Sequence, residues 1–126
     1  MAMRSTPEQI VLVAPVPASA LPLQIFDLVG ESRQLARIAR ECRWVVVTHI
    51  PEDSEGQEAY ALYFVDGEGW PGDKDFFDSL EEVVAYAESR AGVRSSTWSQ
   101  VSTRREEPHG FSRFPLDLLH GSRHKG

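Results

Sequence analysis

Two consecutive segments, residues 44–50 (WVVVTHI) and 59–65 (AYALYFV), restrict the possible folds of this chain more than any other feature. Both are rich in β-branched and aromatic residues, which favour strands. Pro51 ends the first segment, and the polar stretch that follows it is short enough for an antiparallel hairpin. Because both faces of each strand are largely apolar, we predict central strands that are covered on both sides.

A helix is predicted within residues 76–93, because both of its ends carry recognisable signals. Ser79 or Asp78 caps the start with a side-chain oxygen, and acids fill the first turn, where the helix dipole favours negative charge. Gly92 can adopt the left-handed conformation that ends a helix, with Val93 folding back as its apolar contact. The face predicted for the core consists of Leu80, Val83, Val84, Ala87 and Ala91.

A second helix is predicted for residues 31–42, with a row of arginines that points away from its apolar stripe. The stripe consists of Leu35, Ile38, Ala39 and Cys42. Cys42 is interpreted as a small buried hydrophobe rather than a nucleophile. The hairpin and the two helices together predict an α+β fold, in which a small antiparallel sheet built on a central hairpin packs against two helices.

The prolines and charges divide the chain into three segments. Residues 1–22 contain four prolines and are predicted to be an N-terminal arm that holds at most a short strand at 9–13. Residues 23–101 are predicted to form the single α+β domain. Residues 102–126 are polar and are predicted to be a mobile tail, interrupted by an apolar island at 114–121.

The second face of the predicted sheet needs a cover, because two helices on one face leave the other face exposed. Such a face would be larger than the apolar patches that soluble monomers usually expose. The arm, the apolar island of the tail and a second copy of the chain are the alternative covers. Residues 51–91 hold twelve acids against Lys74 and Arg90, which gives −10, and a dimer would bring these acids together. We therefore favour cover from within the chain, and a monomer over a homodimer.

The net charge of −6 is concentrated in the middle of the chain and restricts the classes of partner. An acidic folded core repels phosphate backbones, so nucleic-acid binding through the core is not expected. The same charge suits a basic protein partner, and we predict a non-enzymatic binding or regulatory protein. The predicted partner-binding residues lie in the turn and the helix that follow the hairpin: Asp66, Glu68, Trp70, Asp73, Asp75, Glu81, Glu82 and Glu88.

The sequence predicts no catalytic residue, no metal site and no cofactor. The acids from Asp66 onward miss the spacing of a calcium loop, because the twelfth position is Phe77 rather than glutamate. The alternative function is a small enzyme, in which His49 acts as a base together with a carboxylate of the 52–58 loop. No apolar run of about 18 residues is present, so no membrane span is predicted.

An apolar hairpin, an acidic turn, the segment DSLEEVVAYAESRAGV and then Trp98 follow one another within residues 44–101. In this order of features the chain resembles a group of small bacterial proteins, some of which are similar to immunity proteins of toxin–antitoxin or polymorphic-toxin loci. The resemblance implies a binding protein located in the cytoplasm. It supplies no catalytic residues.

Overall fold

Five antiparallel strands form one sheet in a computed structural model that describes residues 8–23, 33–50, 58–105 and 113–121. In chain order the strands are β1 (Glu8–Pro15), β2 (Cys42–Ile50), β3 (Ala59–Asp66), β4 (Pro71–Phe77) and β5 (Ser99–Arg105). Their order in the sheet is β4-β3-β2-β1-β5, so that β4 and β5 are the two edges. The helices are α1 (Arg33–Glu41), α2 (Leu80–Arg90) and α3 (Leu116–Gly121).

The central hairpin and the α+β class are confirmed. Strands β2 and β3 pair along their whole length, from Cys42 opposite Asp66 to Ile50 opposite Ala59. Five residues in the middle of β3 have no solvent exposure at all, which agrees with strands covered on both faces: Ala61, Leu62, Tyr63, Phe64 and Val65. Alternate side chains of this strand contribute to two separate apolar clusters, one on each face of the sheet.

Helices α1 and α2 cover the first face. The Ser79 hydroxyl accepts a hydrogen bond from the backbone N–H of Glu82 at 3.2 Å, and Gly92 has a φ of +68°, so both predicted ends of α2 are confirmed. Val83 and Ala87 are fully buried, whereas Leu80 is 38% exposed. The prediction that Leu80 belongs to the core is therefore wrong. Leu80 lies in the first turn of α2, where the side chain is more exposed to solvent than those of Val83 and Ala87.

Helix α1 ends one residue earlier than predicted, and Cys42 begins β2 as a buried residue. Ile38 of this helix is fully buried against Gly72 of β4. A Cβ atom at Gly72 would lie 2.6 Å from the Ile38 side chain, so the glycine permits the close approach of helix and strand. The predicted helix residues 31 and 32 lie outside the described part of the chain.

Strand β1 occupies residues 8–15 of the predicted N-terminal arm and contains the short strand predicted at 9–13. It lies between β2 and β5 and pairs with both of them, and Ile10 and Val13 are buried. The prolines of this region are compatible with a central strand because Pro7 precedes β1 and Pro15 is its last residue, so no ladder hydrogen bond is lost in its interior. A boundary at residue 22 therefore does not separate this segment from the domain.

The second face is covered by part of the predicted mobile tail. Residues 113–121 pack across it, and Phe114 and Leu119 have no solvent exposure. They join Ile10, Val13, Val46, Ala61, Tyr63 and Val65 in one apolar cluster. Burial of these two side chains offsets the entropy lost when the segment becomes ordered. Strand β5 also extends to Arg105, whereas residues 106–112 and 122–126 of the predicted tail lie outside the description.

Candidate functional site

Asp66 stabilises the turn between β3 and β4 from a buried position. One carboxylate oxygen accepts hydrogen bonds from the backbone N–H groups of Glu68 and Trp70 at 2.9 and 3.0 Å. The other oxygen pairs with the guanidinium of Arg37 at 3.1 Å. Only 5% of Asp66 is exposed, so this residue is not part of an exposed acidic surface. Aspartate is favoured at such positions because its side chain bonds the backbone of the following residues.

Glu68 and Trp70 lie at the exposed tip of the same turn and contact Arg113. The Arg113 Nε donates a hydrogen bond of 2.7 Å to the carbonyl oxygen of Glu68. Its guanidinium carbon lies 6.0 Å from the centre of the Trp70 ring, at the outer limit of a cation–π contact. These two predicted partner-binding residues therefore help to anchor the segment that covers the second face.

Asp73 and Asp75 form an acidic edge on β4, together with Tyr86 of α2. The two carboxylates share a face of the sheet, because Asp73 pairs with Phe64 and Asp75 with Leu62, which both face the helices. Burial raises the pKa of each carboxyl group above its ordinary value of 3.8, and the neighbouring Asp75 adds to the rise at Asp73. Burial and then the charges of both acids raise the pKa of the Tyr86 phenol.

The acidic edge is not neutralised by a cation within the described segments, where neither Asp73 nor Asp75 forms an ion pair. Glu82 extends it, because this exposed acid precedes Tyr86 by one helical turn and lies on the same side of α2. Glu81 is exposed in the first turn. Glu88 has a different role, because it accepts a hydrogen bond of 3.0 Å from the indole N–H of Trp98.

We expect the double variant Asp73→Asn/Asp75→Asn to be more stable than the wild-type protein at pH 7, by up to about 0.5 kcal/mol. A raised pKa in the folded state means that the folded protein binds these protons more tightly than the unfolded chain does. The destabilising effect of the two charges is therefore absent below pH 3.8 and fully present above the raised folded pKa values.

Urea denaturation across this pH range measures the effect, with Glu68→Gln as a control that removes an exposed charge from the turn. The advantage of the double variant should disappear as the pH falls toward about 3. The control leaves both half-buried acids in place and should show no such gain at pH 7. A double variant that is no more stable than the wild type at pH 7 would contradict the prediction.

His49 forms the predicted contact with a carboxylate of the loop region. Its Nε2 atom lies 2.8 Å from a carboxylate oxygen of Glu58, and its ring contacts the Tyr60 ring with 4.9 Å between the centres. Both side chains are partly exposed. No hydroxyl or thiol group of the described residues hydrogen-bonds to His49, so no nucleophile accompanies the pair there.

A buried polar cluster on the second face was not predicted from the sequence. Glu8 is 3% exposed, and one of its carboxylate oxygens accepts hydrogen bonds from the Thr48 hydroxyl at 2.8 Å and the Tyr63 hydroxyl at 2.6 Å. Lys74 donates a long hydrogen bond of 3.5 Å to the same Tyr63 oxygen. These contacts join β1, β2, β3 and β4. An acid at the start of a strand carries no pattern that would reveal such a role.

Cys42 is buried at the start of β2, and its thiol donates a hydrogen bond of 3.4 Å to the carbonyl oxygen of Trp44. Burial raises the pKa of the thiol to about 12, so it remains protonated at neutral pH. The interpretation as a buried small hydrophobe is thereby confirmed. Within the described ranges no three His, Cys, Asp or Glu side chains are grouped as metal ligands.

A cleft of about 830 Å³ lies where the end of β1, the start of β2, the turn after β3, the residues before β5 and helix α3 meet. We call it the two-tryptophan cleft, because Trp44 and Trp98 both line it. The other lining residues are Pro15, Val16, Arg43, Gly67, Ser96, Thr97, Ser99, Leu119 and His120. A smaller depression of about 280 Å³ adjoins it and shares Arg43 and Gly67. The sequence analysis did not identify this site.

Comparison with known proteins gives no relative for this fold and these sites. No protein-family model matches the chain, and no curated protein and no solved structure matches it significantly. The resemblance of residues 44–101 to immunity-like proteins stays a prediction. In the described portion of the chain, none of the helices combines the length and apolar character needed to cross a membrane.

Proposed function

We propose that this chain is a non-enzymatic binding protein whose acidic edge binds an extended basic segment of a partner protein, as an immunity-like protein would. The observation that supports the proposal is the pair of half-buried carboxylates on β4, Asp73 and Asp75. Burial raises the pKa of both, and neither forms an ion pair within the described residues. A cation from a partner would stabilise both charges.

The position of these acids on an edge strand favours an extended ligand. An edge strand presents backbone groups on its outer side, and a peptide can add to the sheet as a further strand. Side chains of a strand alternate between its faces, so lysines at every second position of the peptide would lie on the side of Asp73 and Asp75. Charged residues at such an edge also discourage pairing with a second copy of the chain.

Phe76 adds apolar surface to the same edge. It is 59% exposed, and the ammonium of Lys74 lies 5.2 Å from the centre of its ring. Both residues point to the face opposite the two acids, because positions along a strand alternate. The alternating apolar residues of a bound peptide would contact Phe76, and aromatic side chains of this kind often contribute strongly to binding.

The test is a calorimetric titration with an eight-residue peptide of alternating lysine and valine, blocked at both ends. A peptide of the same composition, with four lysines followed by four valines, is the control for spacing. We expect the alternating peptide to bind more tightly, and both affinities to fall as salt is added. Equal affinities of the two peptides would rule out binding along the edge, and absence of binding would rule out the proposal.

Two double variants locate the binding surface. Asp73→Asn/Asp75→Asn should weaken binding of the alternating peptide by about tenfold, which corresponds to roughly 1.4 kcal/mol. Glu58→Gln/Asp117→Asn removes the same number of charges from exposed positions outside β4, one of them the Glu58 that contacts His49, and should leave the affinity within about twofold. Equal losses in the two variants would mean that overall charge, and not the acidic edge, binds the peptide.

A second proposal, a small enzyme in which Glu58 positions His49 as a base, is supported by their contact of 2.8 Å. Neither residue lines the two-tryptophan cleft or the depression beside it. The test compares wild-type protein with His49→Gln on a panel of p-nitrophenyl esters and phosphates. Turnover that is lost in the variant would support the enzyme, and equal background rates would exclude it for these substrates.

A further inference from the structure

We propose that the two-tryptophan cleft binds a small molecule that combines a planar aromatic ring with a negative charge. Three properties of the cleft support this ligand class: its volume, its aromatic walls and the signs of the charges that line it. The site lies apart from the acidic edge and shares no residue with it. It is therefore an additional binding site and does not depend on the proposed function.

The volume and the walls of the cleft suit a ring-shaped ligand. Sites for small molecules typically have volumes of about 300–1,000 Å³ and are lined mainly by apolar and aromatic groups, and the cleft measures about 830 Å³. Trp44 and Trp98 provide two indole rings, against which a planar ligand can stack. Val16 and Leu119 also line the cleft but are only 6% and 0% exposed, so they contribute packing behind its walls rather than open surface.

Both indole rings are held in place before any ligand binds. The Trp98 N–H donates a hydrogen bond of 3.0 Å to Glu88, and the Trp44 ring contacts the His120 ring with 5.1 Å between their centres. Rigid walls reduce the entropy that is lost on binding. Glu88 is thus a positioning residue for the cleft, although the sequence predicted it as part of the acidic surface.

The charge of the lining is opposite to that of the protein as a whole. The chain contains 19 acids and has a net charge of −6, yet no Asp or Glu occurs among the described residues that line the cleft. Arg43 and His120 line it instead, together with the hydroxyl residues Ser96 and Thr97. This set of donors suits an anionic group on the ligand.

The Arg43 guanidinium is available to a ligand. It donates a hydrogen bond of 3.0 Å to the carbonyl oxygen of Cys42, and it forms no ion pair with a carboxylate of the described residues. Three carboxylates line the adjoining depression: Glu41, Asp66 and Glu68. Glu41 and Asp66 both pair with Arg37 at 3.1 Å. Two of the three carboxylates that share this depression with Arg43 are thus already engaged by another arginine.

The experiment uses three probes that share one ring system and differ in charge: 2-naphthoate, the neutral 2-naphthalenemethanol and the cationic 2-naphthylmethylammonium. The chain has three tryptophans, so its ¹⁵N spectrum contains three indole N–H signals. We expect 2-naphthoate to shift the signals of Trp44 and Trp98 and to leave Trp70, which lies at the β3–β4 turn, unchanged. Its affinity should exceed that of the neutral probe by about tenfold, and the cation should bind most weakly.

Arg43→Gln tests the charge contact with little risk to folding, because residue 43 is exposed. It should lower the affinity for 2-naphthoate by about tenfold and leave that for 2-naphthalenemethanol unchanged. Arg40→Gln, an exposed arginine of α1 outside the cleft, is the matched control and should change neither affinity. Four outcomes would each overturn the proposal. The probes could cause no shift at millimolar concentration, or they could shift all three indole signals equally. The three probes could bind with equal affinity, or the Arg43→Gln protein could bind 2-naphthoate like the wild type.

Discussion

We expect Phe114→Ala to lower the free energy of unfolding by about 3–5 kcal/mol, the usual cost of replacing a buried phenylalanine with alanine. Phe114 has no solvent exposure and contacts the Tyr63 ring edge-on, with 5.1 Å between the ring centres. The variant loses the transfer energy of the ring and leaves a cavity in the cluster on the second face. It also weakens the attachment of the segment that covers that face.

Phe76→Ala is the matched control, because the same atoms are removed from a side chain that is 59% exposed. It should change the stability by no more than about 0.5–1 kcal/mol. Chemical denaturation gives both values, and light scattering of Phe114→Ala reports whether the uncovered face leads to association. Similar losses in the two variants would mean that residue 114 is not buried in the folded protein.

Gly69→Ala should also be strongly destabilising, by about 2–4 kcal/mol, for two reasons that act together. Gly69 has a φ of +94°, which is unfavourable for any residue with a Cβ atom. A Cβ atom would also lie 2.5 Å from the carbonyl oxygen of Phe114, so that the backbone of one segment would have to shift. That shift would strain the hydrogen bond of 2.8 Å from the Phe114 N–H to the Gly69 carbonyl oxygen.

Gly67→Ala is the control within the same turn. A Cβ atom there would meet only the side chain of Arg43 at 3.6 Å, which is an ordinary contact distance. We expect its stability to stay within about 0.5 kcal/mol of the wild type, or to rise slightly because the unfolded chain loses freedom. Thermal unfolding of both variants is sufficient for the comparison. If Gly69→Ala has the same unfolding temperature as Gly67→Ala, the turn accommodates the Cβ atom without loss of stability and the prediction is wrong.

Local sequence patterns predicted the structure correctly where the interactions that determine it are close together in the chain. The hairpin of β2 and β3 follows from β-branched segments joined by a short polar loop, and the Ser79 cap and the Gly92 terminus of α2 follow from chemistry within single turns. The contact of His49 with Glu58 also arises within one hairpin, which is why it was predictable.

The candidate sites were predictable only in part. Asp73 and Asp75 were predicted to lie in a turn, whereas the structure places them on β4, where they share a face because strand positions alternate. The internal roles of Asp66 and Glu88 were not predicted. Asp66 bonds to the backbone of its own turn and to Arg37, 29 residues away in the chain, and Glu88 accepts a hydrogen bond from Trp98. The sequence shows that these residues are acids, but it does not distinguish an acid that is exposed on the surface from one that forms hydrogen bonds within the protein.

The sequence by itself determined the central hairpin, the ends of α2, the burial of Cys42 and the concentration of acids in the middle of the chain, because each depends on local propensity or composition. Only the tertiary structure decided that residues 8–15 form a central strand, that residues 113–121 cover the second face and that two tryptophans line one cleft. The physical reason is that these features depend on contacts between segments far apart in the chain. A short apolar segment is ordered only when a complementary surface buries it, and its own residues do not encode that surface.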